Sequence, residues 1–198
     1  MTDSEVLGEA TPARPGKRER LIAAAYELVY RRGVARTSLA DIAQAADVPV
    51  GNVYYYFKTK DDIIAAVVQA HTEHIETTLA EFERQHHSPK ARLKAFIRFL
   101  AERADSTAQY GCPHGTLSSE LARRAEGPDP LATILMQIQL DWAERQFRIM
   151  GRRDSYDLAI ELLVGYQGSA VLTNALGQPQ LMARQARHLG KWIDALRA

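Results

Sequence analysis

The sequence predicts an all-α protein of nine helices. Apolar residues recur three and four apart along nearly the whole chain, no segment alternates with the period of two that a half-buried strand requires, and glycine, proline or a capping hydroxyl interrupts the pattern at helix-length intervals. Leu21, Ala25, Leu28 and Val29 share one face of a first helix that begins at Lys17, and Gly33 stops it. Ser38 with Asp41 three residues on has capping-box spacing, and Leu39, Ile42, Ala43 and Ala46 supply the apolar side of the second helix. Asp47-Val48-Pro49 breaks that periodicity at once, and Pro49 suits the first position of a third helix, where its missing N–H costs nothing. Thr59 caps a long fourth helix over residues 60 to about 86, with Asp61 and Asp62 at its positive end and His86 and His87 at its negative end. Ser88-Pro89 opens a fifth, carried by Leu93, Phe96, Ile97 and Leu100 to about residue 109, and a short sixth spans about 116 to 124. Leu131, Leu135, Ile138, Trp142 and Ile149 mark a seventh, and Leu158, Leu162, Tyr166 and Leu176 an eighth. Gly177-Gln178-Pro179 separates it from a ninth that runs to the C-terminus.

Composition excludes several classes. At 198 residues, 46% hydrophobic and 25% charged, the chain has enough apolar material for one large domain or two small ones. Its single cysteine, Cys112, rules out an internal disulfide framework and a Cys-rich zinc site. No run of about eighteen apolar residues occurs, and the polar N-terminus lacks the apolar stretch of a secretory signal, so a cytoplasmic protein without a membrane partner is expected. Residues 1–16 are poor in large apolar groups and are expected as a disordered tail. Net charge is only +1, yet residues 17–60 hold eight Lys/Arg against four acids, so the basic excess is concentrated there. The expected organisation is therefore a tail, a three-helix unit over 17–60 and a larger helical unit over 61–198.

The stretch GNVYYYFKTK, Gly51 to Lys60, places three of the eight tyrosines side by side. At about 100° per residue, Val50, Val53 and Phe57 fall within roughly 60° of one another and form the apolar side of the third helix. Gly51, Asn52 and Tyr55 land opposite, with Tyr54 and Tyr56 at the flanks. An aromatic cluster often means core, but three consecutive tyrosines cannot all be buried on a helix with one apolar face. A tight turn between second and third helices, a basic bias and polar aromatics on the exposed face meet the requirements of a helix-turn-helix reader of double-stranded DNA. Asn52 and Tyr55 would face base edges, Tyr54 and Tyr56 phosphates, and Thr37 and Ser38 would bond phosphate through hydroxyl or helix-terminal N–H groups. Gly51 would permit close approach, and Lys60 would add a cation. Arg14, Lys17, Arg18 and Arg20 suit either an arm along DNA or a solvated charged tail.

The stretch Thr37 to Lys60, TSLADIAQAADVPVGNVYYYFKTK, closely resembles the DNA-binding signature of the TetR/AcrR family of transcriptional regulators, as do the preceding helix, the length and the helix count. By that resemblance Thr37, Gly51, Tyr54, Tyr55, Tyr56 and Lys60 would contact DNA. The chain departs from the family pattern at Asp47, where glycine is usual, and at Pro49, where a capping Ser or Thr is usual. Asp can take the left-handed conformation at modest cost. The resemblance also implies a homodimer on a pseudo-palindromic operator, a small-molecule effector of unknown identity, and repression released when that effector moves the fourth helix.

For the dimer, small residues on the eighth helix would allow close approach of a partner, with Leu162, Gly165, Ser169 and Leu172 as interface candidates beside the ninth helix. Internal packing of the same residues is the alternative. Phe96, Tyr110, Met136, Gln139, Trp142, Phe147 and Tyr166 combine large apolar surface with a few polar handles, which suits an effector pocket and equally a plain core. In Gly111-Cys112-Pro113-His114-Gly115, Cys112 precedes a helix start whose N–H groups would favour thiolate, with His114 nearby. Both residues are candidates for the effector site, and Cys112 is either a sensor of electrophiles or oxidants or an inert thiol in a tight turn. His71 and His74 lie three apart without a third ligand at diagnostic spacing, so neither metal nor cofactor is expected. No catalytic motif occurs, which leaves a helical-bundle enzyme as the cross-class alternative.

Overall fold

The computed structural model describes residues 15–125 and 129–196. Every regular element among them is a helix: α1 (Lys17–Arg32), α2 (Leu39–Ala45), α3 (Val50–Tyr56), α4 (Lys60–Gln85), α5 (Pro89–Ala101), α6 (Ala104–Tyr110), α7 (Pro113–Arg124), α8 (Pro130–Ile149), α9 (Ser155–Leu176) and α10 (Gln180–Ala195). The helices fall where the periodicity places them, with one difference. The fifth expected helix is interrupted at Glu102–Arg103, where Arg103 leaves helical geometry at φ −91° and ψ 19°, so α5 and α6 are the two halves of a broken rod. The break turns the Arg103 guanidinium over the Phe99 ring, 5.5 Å from its centroid. Most of the expected tail, with Arg14, lies outside the described residues.

Capping chemistry fixes the ends that position the site. Ser38 accepts from the Asp41 N–H while Asp41 accepts from the Ser38 N–H, and Thr59 and Asp62 make the same reciprocal pair at the start of α4. Asp47 takes the left-handed conformation (φ 50°) in the turn between α2 and α3. Arg20 on α1 holds that turn by donating to the carbonyls of Ala46 and Asp47 at 3.0 and 3.2 Å. Pro49 stands one residue earlier than expected, as the N-cap of α3, with its carbonyl accepting from the Asn52 N–H at 2.8 Å.

Two apolar cores result. The first gathers Leu21, Ala25, Ile42, Ala43, Val53 and Phe57 from α1 to α3, and the second fills the space among α4 to α10 around Trp142, Phe147, Leu135 and Leu162. Helix α4 belongs to both: Ile63 and Val67 enter the first core, whereas Ile64, Val68 and Ile75 enter the second. Each buried side chain of this size stabilises by about 1.5–3 kcal/mol, so neither core releases α4 cheaply. The first core therefore extends past residue 60.

Helix α7 makes a second junction. The Glu120 carboxylate accepts from the backbone N–H groups of Val34 and Ala35 at 2.9 and 2.8 Å, in the loop between α1 and α2. Arg124 pairs with Asp61 at 2.8 Å, and the Tyr30 hydroxyl donates to the Gly111 carbonyl at 3.1 Å.

Candidate nucleic-acid interface and effector cavity

The outer face of α3 carries the polar aromatics. Tyr55 is 78% exposed, Tyr54 is exposed, Tyr56 is half-buried against the first core, and the rings of Tyr55 and Tyr56 meet edge to face at 4.9 Å. Gly51 is exposed, and a Cβ built on it would meet nothing within 4 Å. Nothing inside the chain requires glycine there, although glycine weakens a helix by about 0.5–1 kcal/mol relative to alanine. Asn52 and Lys60 are half-buried at the edges of the same surface. The Lys58 ammonium donates to the Tyr54 carbonyl at 2.7 Å and so closes the C-terminus of α3.

Two expectations about this surface change. Val50, the first residue of α3, is 45% exposed instead of joining Val53 and Phe57 inside. Thr37 is buried, with its hydroxyl donating to the Gly33 carbonyl at 2.8 Å and its N–H to the Val34 carbonyl at 3.3 Å, so both groups serve the loop instead of facing outward. Ser38 is exposed, and its hydroxyl is committed to Asp41.

In the second unit four of the expected pocket residues come together. Phe96, His114, Gln139 and Tyr166 line a buried cavity of about 20 Å³ with Ile75, Leu79 and Leu100, room for about one water. Cys112 adjoins it: its Sγ lies 3.3 Å from the Tyr166 hydroxyl, 3.9 Å from His114 Nδ1, and accepts from the Gly115 N–H at 3.4 Å as the N-cap of α7. The other candidates separate. Trp142 packs on Phe96 at 5.4 Å but opens towards a groove between α4 and α8, and Phe147 packs on Trp192 in the core. Met136 meets Gln167 in a surface groove, and Tyr110 leans on Tyr30 with Arg31 over its ring.

The cavity also contains His71, which was not among the expected pocket residues. His71 is buried, its ring stacks on His114 at 4.6 Å, and its Nε2 has no hydrogen-bond partner. Gln139 donates to the Leu135 carbonyl at 2.7 Å, which leaves its Oε1 unpartnered. Both histidines are neutral at physiological pH. Burial lowers the His71 pKa to about 4, with the charges of His74 and Arg103 acting the same way, and burial holds His114 well below the ordinary histidine range. Burial raises Tyr166, and the neighbouring Cys112 adds to that. Spacing draws notice to His71 with His74 as a metal pair that lacks a third ligand; Arg103 is brought in only by the helix break. His71, His74 and Arg103 also line an open cleft of about 680 Å³ between α1 and α4. Among the described residues no cluster of three metal-ligating side chains occurs, and no helix is long and apolar enough to cross a membrane.

On α9 the small residues serve the interior. Leu162 lies in the second core, a Cβ on Gly165 would sit 3.0 Å from Gln185 Nε2 and 3.2 Å from Leu189 Cδ2, and Ser169 donates to the Tyr166 carbonyl beside Met182. Glycine at 165 thus lets α10 approach closely. Of the four interface candidates only Leu172 is exposed, and it belongs to an outward set with Tyr156, Ile160, Val164, Val171 and Leu176.

Residues 21–67 match the sequence profile of bacterial regulatory proteins of the tetR family. An uncharacterised HTH-type transcriptional regulator from the lacX 3' region of Lactococcus lactis subsp. lactis is 28% identical over 160 residues, 78% of this chain and 82% of that protein. The HTH-type transcriptional repressor DhaR of Mycobacterium sp. (strain GP1) is 27% identical over 133 residues, 67% and 64% of the two chains. A TetR transcriptional regulator from Legionella pneumophila shares the fold with a TM-score of 0.79 at 21% identity, over 91% of this chain and 97% of the other. A helix-turn-helix unit matching the tetR family in sequence and a helical body matching a tetR-type regulator in fold together support a regulator of the tetR type.

Proposed function

We propose that the protein is a homodimeric repressor that binds a pseudo-palindromic operator through paired α3 helices and leaves it when a small molecule occupies the cavity. The observation that carries this reading is the continuity of α4, one helix that starts beside α3 at Lys60 and runs along the cavity at His71, Ile75 and Leu79. A group forced between α4 and α7 must displace one of them, and α4 takes the DNA-binding core with it. Gly51, Asn52, Tyr54, Tyr55, Tyr56 and Lys60 form the DNA-facing surface, with residues 17–60 as the reading unit and 61–198 as the effector and dimer unit. The repressor relative is consistent with this direction of control. Pairing falls to the outward face of α9: a reader of this kind needs two recognition helices about 34 Å apart, and the exposed apolar set on α9 is what a second copy would cover. Binding of the purified protein to its own upstream DNA, followed by fluorescence anisotropy, tests the reading. Affinity should fall steeply with salt, and Tyr55→Ala should weaken it at least about tenfold without changing the melting temperature. Unchanged affinity in that variant overturns the assignment of the α3 face.

A second reading is supported by Cys112, whose sulfur sits at the cap of α7 against the cavity residues Tyr166 and His114. A covalent adduct there would push on α7 from the cavity side. Cys112→Ser should abolish release of DNA by an electrophile while basal DNA binding persists; an equal response in variant and parent removes the thiol reading.

A further inference from the structure

The cleft between α1 and α4 adjoins the buried cavity across His71, His74 and Arg103 and is much larger, within the size range of small-molecule sites. One wall is aromatic: Tyr26 and Tyr30 stack at 6.3 Å with 18° between their planes, and Tyr26 meets the His71 ring at 5.0 Å. Ile22, Val67 and Ala70 also line it. The Arg103 guanidinium also lines it, close enough to the Tyr26 hydroxyl to oppose the upward pKa shift that burial gives it. The charge of Arg103 is felt by His71, His114, Tyr30 and Tyr166 as well. No described carboxylate lies within ion-pair distance of Arg103. Beside it, the His71 Nε2 is buried and without a hydrogen-bond partner. A half-buried cation held over the Phe99 ring and flat aromatic walls suit a flat molecule with one anionic end.

We propose that this cleft binds an aromatic monocarboxylate, with its carboxylate on the Arg103 guanidinium and its ring against Tyr26 and Tyr30. The charge must be single. His71 is neutral and adds no second cation, while Glu19 and Glu73 line the cleft with Arg18, and Glu27 beside them is paired with Arg31, so a second carboxylate on the outer end of the ligand meets like charge. Such a ligand touches α1, α4 and the α5–α6 break together. Its binding goes beyond the effector reading; its consequence for DNA rests on that reading.

Titration calorimetry with three probes tests the site: 2-naphthoate, its uncharged amide 2-naphthamide, and the dianion naphthalene-2,6-dicarboxylate. The monoanion should bind at least about tenfold more tightly than either of the others, the range expected for a charge-assisted pair. Arg103→Gln should erase the preference of acid over amide while the amide's own affinity stays within about threefold, which also reports that the variant is folded. Equal affinity for acid and amide, or an undiminished preference in Arg103→Gln, overturns the proposal. If 2-naphthoate fails to bind while an uncharged compound releases DNA, the anion site falls and the effector reading stands. If it binds as described but leaves DNA binding unchanged, the site stands and its coupling to DNA falls.

Discussion

Replacing Glu120 by alanine should destabilise the whole protein through two bonds that no sequence pattern announces. The carboxylate receives the N–H groups of Val34 and Ala35 at 2.9 and 2.8 Å, both of charge-assisted type. Val34 is buried, so its N–H, once orphaned, bears a desolvation cost of about 1–3 kcal/mol, whereas the exposed Ala35 N–H can turn to water and loses about 0.5–1.5 kcal/mol. A total near 2–3 kcal/mol should lower the melting temperature by about 5–10 °C for a chain of this size. Glu120→Gln keeps one neutral acceptor and should lose about half as much. Calorimetry of the three proteins at one fixed concentration measures this. The same series titrated with upstream DNA should weaken in the same order, because the loop leads directly into the Ser38 cap of α2. A melting temperature for Glu120→Ala within about 1 °C of the parent would show that the bonds contribute nothing net, and the reasoning fails.

Three further outcomes follow from other parts of the molecule. Gly51→Ala should stabilise the free protein by about 0.5–1 kcal/mol, since the new Cβ meets only open space, and should weaken DNA binding; unchanged DNA affinity would remove Gly51 from the interface. Val164→Asp should convert a dimer to a monomer of 22.1 kDa in sedimentation, and a dimer that survives it is held elsewhere than on α9. His71 titrates at about 4 in the folded protein against 6.5 ordinarily, so the unfolded chain binds the extra proton first as pH falls between those values, and stability is lost there. By pH 5 the loss is about 2 kcal/mol, and His71→Phe should remove that part of the difference between pH 7.5 and pH 5 in chemical denaturation. An identical pH dependence in the variant would place the acid sensitivity in other groups.

The helices were legible because burial imposes a period, and the period survives in the sequence wherever one face is covered. The caps at Ser38 and Thr59 were legible for the same local reason. What the sequence concealed was direction. Gly165 and Ser169 read as surfaces for a second chain because small residues permit close approach without saying which helix approaches; α10 does. Thr37 read as a phosphate donor because its hydroxyl is polar, whereas the loop geometry turns it to Gly33. The aromatic candidates divided because a list of large side chains holds no information on which of them share a wall. Arg103 could not be read at all: the periodicity runs through the break between α5 and α6 without interruption, and only the observed dihedrals put the cation in the wall of a cleft. Glu120 looked like an ordinary acidic residue on a helix, and its role depends on backbone 85 and 86 positions away.

The division of α4 between two cores has a mechanical consequence. At about 1.5 Å per residue its 26 residues make a rod of about 39 Å, anchored by side chains at both ends. Pivoted about the Gln85 end, a tilt of only about 5° carries the Lys60 end through about 3 Å. In a symmetric pair the two displacements act in concert, so the span between recognition helices could change by up to about 6 Å, against a groove spacing that DNA fixes near 34 Å. A side-chain-sized wedge near the middle of the rod is therefore enough to take two reading heads out of step. No large rearrangement of either core is needed.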